Sequence, residues 1–124
     1  MAGGIPGEVR KLVADHVKSV EQLELLLLLR RERGRDWDGA EAGAALQTTA
    51  ESAGRSLGHL AAHGLAATDG GRYRYAPSPA DARAVDGLDE AYAKRRHAVI
   101  AMIFESPSDA VQSFADAFRL RGDR

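Results

Sequence analysis

Hydrophobic positions along the chain fall into helical stripes interrupted once by a stretch of period two. Val9, Leu12, Val13 and Val17 recur at spacings of three and four, which places them on one face of a short helix over 8–17. Ser19 and Gln22 stand at capping-box spacing, where the serine oxygen and glutamine amide satisfy backbone N–H groups that a helix start leaves free. The body of this second helix, Leu23 to Leu29, is apolar almost all round, the pattern of a helix surrounded by others. It is predicted to be the central core helix, ending near Gly34. Residues 1–7, with three glycines and a proline, are expected to form a mobile lead-in.

Asp38 can cap a helix over 39–46, and Thr48 or Thr49 can cap another reaching His63, with only a tight turn between them. Ala42, Ala45 and Leu46 on the first, and Ala53, Leu57 and Leu60 on the second, give each a narrow inward stripe suited to close crossing. This is a helix-turn-helix pattern. Gly64 stops the second helix, and the period then changes: residues 65–68 and 72–75 read as short strands joined by Asp69, Gly70 and Gly71, a hairpin in the position of a wing. After Pro77 and Pro79, a long helix is predicted over 80–104 with Val85, Leu88, Tyr92, Val99 and Ile103 on one stripe. Ser106 and Pro107 break it, and 109–120 reads as a last helix with Val111, Phe114, Ala115 and Phe118 inward. The expected fold is mainly α with a small β-hairpin wing: a winged helix-turn-helix domain over 8–76 and a C-terminal helical extension over 80–120.

The string from Ala53 to Pro77, AGRSLGHLAAHGLAATDGGRYRYAP, resembles the recognition helix and wing of MarR-like and ArsR-like winged-helix transcriptional regulators. Leu57, Leu60, Gly64-Leu65 and the Asp-Gly-Gly turn followed by alternating Arg and Tyr carry the resemblance, which covers about half the chain. It implies a sequence-selective DNA-binding dimer whose third helix enters the major groove while the wing touches the backbone or minor groove; separately, a cytoplasmic address is expected. Winged helices also serve as protein-binding modules, so a non-catalytic interaction domain is the alternative.

With Ala53, Leu57 and Leu60 inward, the opposite helix face presents Thr49, Glu51, Ser52, Arg55, Ser56 and His59. Arg55 is the strongest candidate reader, since its planar fork can pair with guanine or phosphate; Thr48, Thr49, Ser52 and Ser56 are short donors. In the wing, period two puts Arg72 and Arg74 on one face, toward phosphate, and Tyr73 and Tyr75 on the other, toward the core. Gly54 and Gly58 each cost about 1 kcal/mol relative to alanine inside a helix, which close approach to DNA or to a neighbouring helix can offset; tolerated local weakness is the plainer reading. Arg30, Arg31, Arg33 and Arg35 form a basic run that either reaches phosphate or simply solvates a helix end.

Composition restrains this reading. Seventeen Lys and Arg against eighteen Asp and Glu leave a net charge of -1 over 124 residues, so any pull toward nucleic acid must be local. Between Thr48 and Tyr75, three arginines against Glu51 and Asp69 give a surplus of only +1. A monomer should bind DNA weakly, and dimerisation through the 80–120 helices is expected to supply the rest; the alternative is that the 80–104 helix folds back on its own domain. Phe114 and Phe118 offer a second use, a helix-in-groove contact with a protein partner. There is no cysteine, and no apolar run is long enough for a membrane span or placed as a signal core. His59 and His63 have the i, i+4 spacing of metal ligands but lack the neighbouring glutamate of a zinc motif, so no metal or other cofactor is predicted. Without a nucleophile elbow, phosphate-binding glycine loop or convincing carboxylate pair, enzymatic activity is not expected.

Overall fold

A computed structural model describes residues 4–105; the helix predicted over 109–120 lies outside the described residues. In chain order these residues form α1 (Gly7–His16), α2 (Val20–Arg31), α3 (Gly39–Leu46), α4 (Ala50–Ala62), β1 (Ala66–Asp69), β2 (Arg72–Tyr75), α5 (Pro79–Lys94) and α6 (Arg96–Glu105). The fold is mainly helical with one small two-stranded antiparallel sheet. No helix among the described residues is long and apolar enough to cross a membrane.

Helix α2 starts where its cap predicts: Ser19 Oγ accepts from the Gln22 amide at 3.1 Å. The glutamine side chain reaches back one residue further than in a standard box, accepting from the Lys18 amide at 2.7 Å. Leu23 and all five leucines from Leu25 to Leu29 are buried, because α3, α4 and β2 pack against this helix while α5 closes over it through an Arg30 bridge to Asp86 and Asp89. Burying each such side chain contributes about 1.5–3 kcal/mol, which makes α2 the axis of the core. That core is continuous: Val85, Leu88, Val99 and Ile103 from the C-terminal helices belong to the same buried cluster. Ile5 belongs to it as well, so the described part of the expected lead-in is anchored rather than loose.

Helix α3 begins with a reciprocal capping box, the Glu41 amide donating to Asp38 Oδ1 at 2.8 Å and the Asp38 amide to Glu41 Oε1 at 3.1 Å. The turn to α4 is three residues long and passes through Gln47 at φ 60, a left-handed position held by the Thr48 amide bonding to the Gly43 carbonyl at 2.8 Å. Glycine sets the crossing distance. A Cβ on Gly39 would lie 2.7 Å from the Ala50 carbonyl oxygen, and one on Gly43 would lie 2.9 Å from that of Thr49. The expected inward stripe of α3 is corrected accordingly: Gly43 takes the buried place beside Ala42, while Ala45 is exposed and Leu46 half-buried.

The hairpin pairs Ala66 with Tyr75 through to Asp69 with Arg72. Gly70 and Gly71, at φ 62 and 81, supply the two positive-φ residues of a type I′ turn, whose twist matches the strands. Beyond the predicted strands, Trp37 joins the far side of β2 as an isolated bridge, exchanging both backbone hydrogen bonds with Tyr73 at 2.8 Å. Trp37 is almost fully buried and is stacked by the Arg35 guanidinium 3.6 Å from its ring centroid.

The predicted 80–104 helix is two helices. Arg95, at φ -136 and ψ 56, leaves the helical region, and its carbonyl restarts the ladder by accepting from Val99. The break turns α6 back so that Val99 and Ile103 reach the core beside α1 and α5, where a straight continuation would carry them into solvent. Within the described residues both halves of this segment pack on α1 of the same chain.

Candidate nucleic-acid interface

Helix α4 and the hairpin carry the residues singled out for DNA contact. Thr49 caps α4, its side chain accepting from the Ser52 amide at 3.0 Å, and is exposed. Arg55 projects outward with 70% of its side chain exposed, held only by an i, i+4 pair to the still more exposed Glu51 at 3.6 Å. Gly54 and Gly58 lie along the same outward edge, and a Cβ on either would meet nothing within 4 Å. The start of α3 does come close to Gly54, since a Cβ on Gly39 would lie 3.4 Å from its Cα, whereas no neighbouring helix accounts for Gly58.

Ser52, Ser56 and His59 do not face outward as readers. Glu21, in the first turn of α2, collects three hydroxyls: Ser52 Oγ donates at 2.8 Å, Thr48 Oγ1 at 3.3 Å, and Ser56 Oγ donates to the second carboxylate oxygen. Ser56 is 6% exposed. These bonds, that from Ser56 foremost, hold the Glu21 carboxyl below its ordinary range against the opposing effect of burial. The cluster ties the start of α2 to α4 and takes three short donors off the candidate interface. His59 turns toward α1 instead, its Nε2 lying 2.7 Å from the His16 carbonyl oxygen.

In the wing, the division of faces holds but the arginines are occupied. Tyr73 and Tyr75 pack against the core, and burial raises the Tyr75 hydroxyl above its ordinary pKa. Arg72 reaches across to the α3 capping box, donating to Glu41 Oε1 at 2.9 Å, to Asp38 Oδ2 at 3.4 Å and to the Asp36 carbonyl at 3.1 Å. Arg74 Nε donates to Asp36 Oδ1 at 2.8 Å. The carboxylates that cap α3 thus also hold the hairpin, a double use that spacing along the chain does not reveal because these partners lie 31 and 34 residues apart.

Part of the basic run before α3 is similarly committed, while Arg31 is exposed. Arg30 bridges to Asp86 at 2.8 Å and Asp89 at 3.1 Å on α5, and Arg33 lies over the Tyr75 ring, 5.7 Å from its centroid. From Asp36 to Tyr75, Arg55, Arg72 and Arg74 face five carboxylates, Asp36, Asp38, Glu41, Glu51 and Asp69, leaving -2 where the shorter window counted +1. Paired surface arginines can exchange a carboxylate for a phosphate at small cost, since exposed ion pairs contribute about 0–1 kcal/mol, but the carboxylates stay behind and repel the backbone. Comparison with protein-family models, curated proteins and solved structures finds no match to this chain, so the site is read from its own geometry.

Proposed function

We propose that this chain is a winged-helix regulator that binds duplex DNA, with α4 as the recognition helix and the β1–β2 hairpin as the wing. The order α2, Trp37 bridge, α3, tight turn, α4, hairpin supports the winged-helix reading, in which α4 is the helix that would enter the major groove. One observation carries the reading. On the outward side of α4, Arg55 is largely exposed and a Cβ on Gly58 would meet nothing within 4 Å, so the helix backbone there can approach a groove floor while Arg55 reaches base edges. In this reading the protein acts in the cytoplasm as a homodimer, without catalytic activity, because one half-site offers too few phosphate contacts for tight binding.

A second reading is favoured by the surplus of carboxylates. The stretch from Asp36 to Tyr75, which spans α3, α4 and the hairpin with a charge of -2, is better matched to a basic protein segment than to phosphate, which supports a non-catalytic interaction module on the same fold. Fluorescence anisotropy of a labelled duplex pool, titrated at about 50 and 200 mM salt, separates the two. If three arginines neutralise phosphates, affinity falls about fortyfold between those concentrations, from a slope of about -0.9 per contact. Arg55→Ala then flattens the preference among duplexes by about 1–3 kcal/mol, whereas Arg74→Ala weakens all of them alike. Absence of binding at the lower salt, by protein shown to be folded, overturns the DNA reading in favour of the interaction module.

A further inference from the structure

Three of the four histidines meet at one junction between α1 and α4. His16 Nδ1 and His63 Nδ1 face each other at 3.0 Å, with their rings edge to face at 5.2 Å between centroids. The His59 ring stacks on that of His63 at 4.1 Å, and its Nε2 sits 2.7 Å from the His16 carbonyl oxygen. That carbonyl is one of those a helix C-terminus leaves free, so α4 closes the end of α1 through its imidazoles. Otherwise α1 packs mainly on α5 and α6. No group of three His, Cys, Asp or Glu among the described residues is arranged to hold a metal ion, and the neutral rings account for the geometry alone.

We propose that this junction is a proton-operated latch joining α1, and with it α5 and α6, to α4: closed while the rings are neutral and opened in mild acid. The hydrogen-bond chemistry sets the rule. His59 must carry its proton on Nε2 to donate to the carbonyl, and of the facing Nδ1 atoms of His16 and His63 one donates and the other accepts. A first proton can enter on the distal nitrogen of the donor ring and leave that bond intact. A second proton on this facing pair must enter on the accepting Nδ1, which brings two N–H groups head to head at 3.0 Å, and a proton on the free Nδ1 of His59 adds like charge on the stacked ring.

The cleft beside His16 mixes Glu8, Asp15 and Asp81 with Lys11 and Arg83, and none of these carboxylates is hydrogen-bonded to the three rings. Lys18, whose ammonium donates to the Ala14 carbonyl at the end of α1, adds a further cation. Asp15, the nearest carboxylate, is paired with Lys11 at 2.8 Å, and Glu21 is engaged by the serines further up α4. Burial first, then His59, His16 and Lys18, hold His63 below its ordinary pKa, outweighing a backbone bond to Asp15. With the folded-state pKa depressed, the open state binds more protons, so the latch is fully stable above the ordinary histidine pKa and weakens as pH falls below it.

This inference does not rest on DNA binding. It is tested on the full chain by amide hydrogen exchange at pH 7.5 and 5.5, corrected for intrinsic rates, with histidine titrations followed by NMR. Protection of α1 amides should fall by up to about tenfold per pH unit for each proton taken up on opening, while α2 stays protected. His63 should titrate below the ordinary histidine value of 6.5. His63→Gln should remove the pH dependence of α1 protection, and His97→Gln should keep it. Unchanged α1 protection across this range, or a His63 titrating at or above the ordinary histidine value of 6.5, overturns the latch; both readouts use the unaltered protein and stand even where His63→Gln fails to fold.

Discussion

Two glycine-to-alanine substitutions on facing helices should move stability in opposite directions. At Gly58, on the open edge of α4, a Cβ meets nothing within 4 Å, so alanine adds only its helix propensity, about 0.8–1 kcal/mol. At Gly39, the first residue of α3, the same methyl would sit 2.7 Å from the Ala50 carbonyl oxygen and 3.4 Å from the Gly54 backbone. Neither obstacle is a side chain that can swing away. The helices must part, and forcing an extra methyl into a close-packed contact costs about 1–3 kcal/mol, more than the small propensity gain at a helix end. For a domain near 100 residues, 1 kcal/mol shifts Tm by about 4–8 °C, so thermal unfolding by circular dichroism should show Gly58→Ala above the unaltered protein and Gly39→Ala below it. A Gly39→Ala protein as stable as the parent would refute the close crossing of α3 and α4, and a destabilised Gly58→Ala would refute the open edge. The same pair bears on function, since Gly58→Ala should weaken DNA binding while raising Tm if the helix backbone lies against a groove.

Removing the Glu21 carboxylate by Glu21→Ala leaves the buried Ser56 hydroxyl without its partner and should cost about 1–3 kcal/mol in urea unfolding; an unchanged midpoint would show the cluster to be dispensable. Because Glu21 titrates below its ordinary value of 4.5, its contribution is complete above that value and is lost as pH falls through the lowered folded-state pKa, a decline that Glu21→Gln should flatten in a Tm series from pH 6 to 3. Leu57→Ala, at a fully buried position facing α2, should cost about 2–5 kcal/mol, whereas Arg30→Met, which removes a partly exposed bridge to α5, should cost about 1 kcal/mol or less; chemical denaturation ranks the two, and the reverse order would contradict the burial described.

What the sequence determined by itself was local. Ser19, Asp38 and Thr49 mark the helix starts because a cap needs only a side-chain oxygen three residues before a free amide. The leucine run marks the axis of the core, since a helix without a polar face has to be enclosed, and Gly70-Gly71 marks the hairpin, since few other pairs adopt two positive φ values. Contacts between distant positions were decided by the tertiary structure. Ser52, Ser56 and His59 look like an exposed polar face until Glu21 and His16 arrive from helices more than thirty residues earlier in the chain. Arg72 and Arg74 read as free cations until the carboxylates before and within α3 fold against them. Arg95 continues a helical pattern, yet the helix breaks there because only a turn returns Val99 and Ile103 to the core. Periodicity fixes which face of an element is apolar; which partner meets the polar face depends on how the elements cross, and at α3 and α4 two glycines without side chains set that distance.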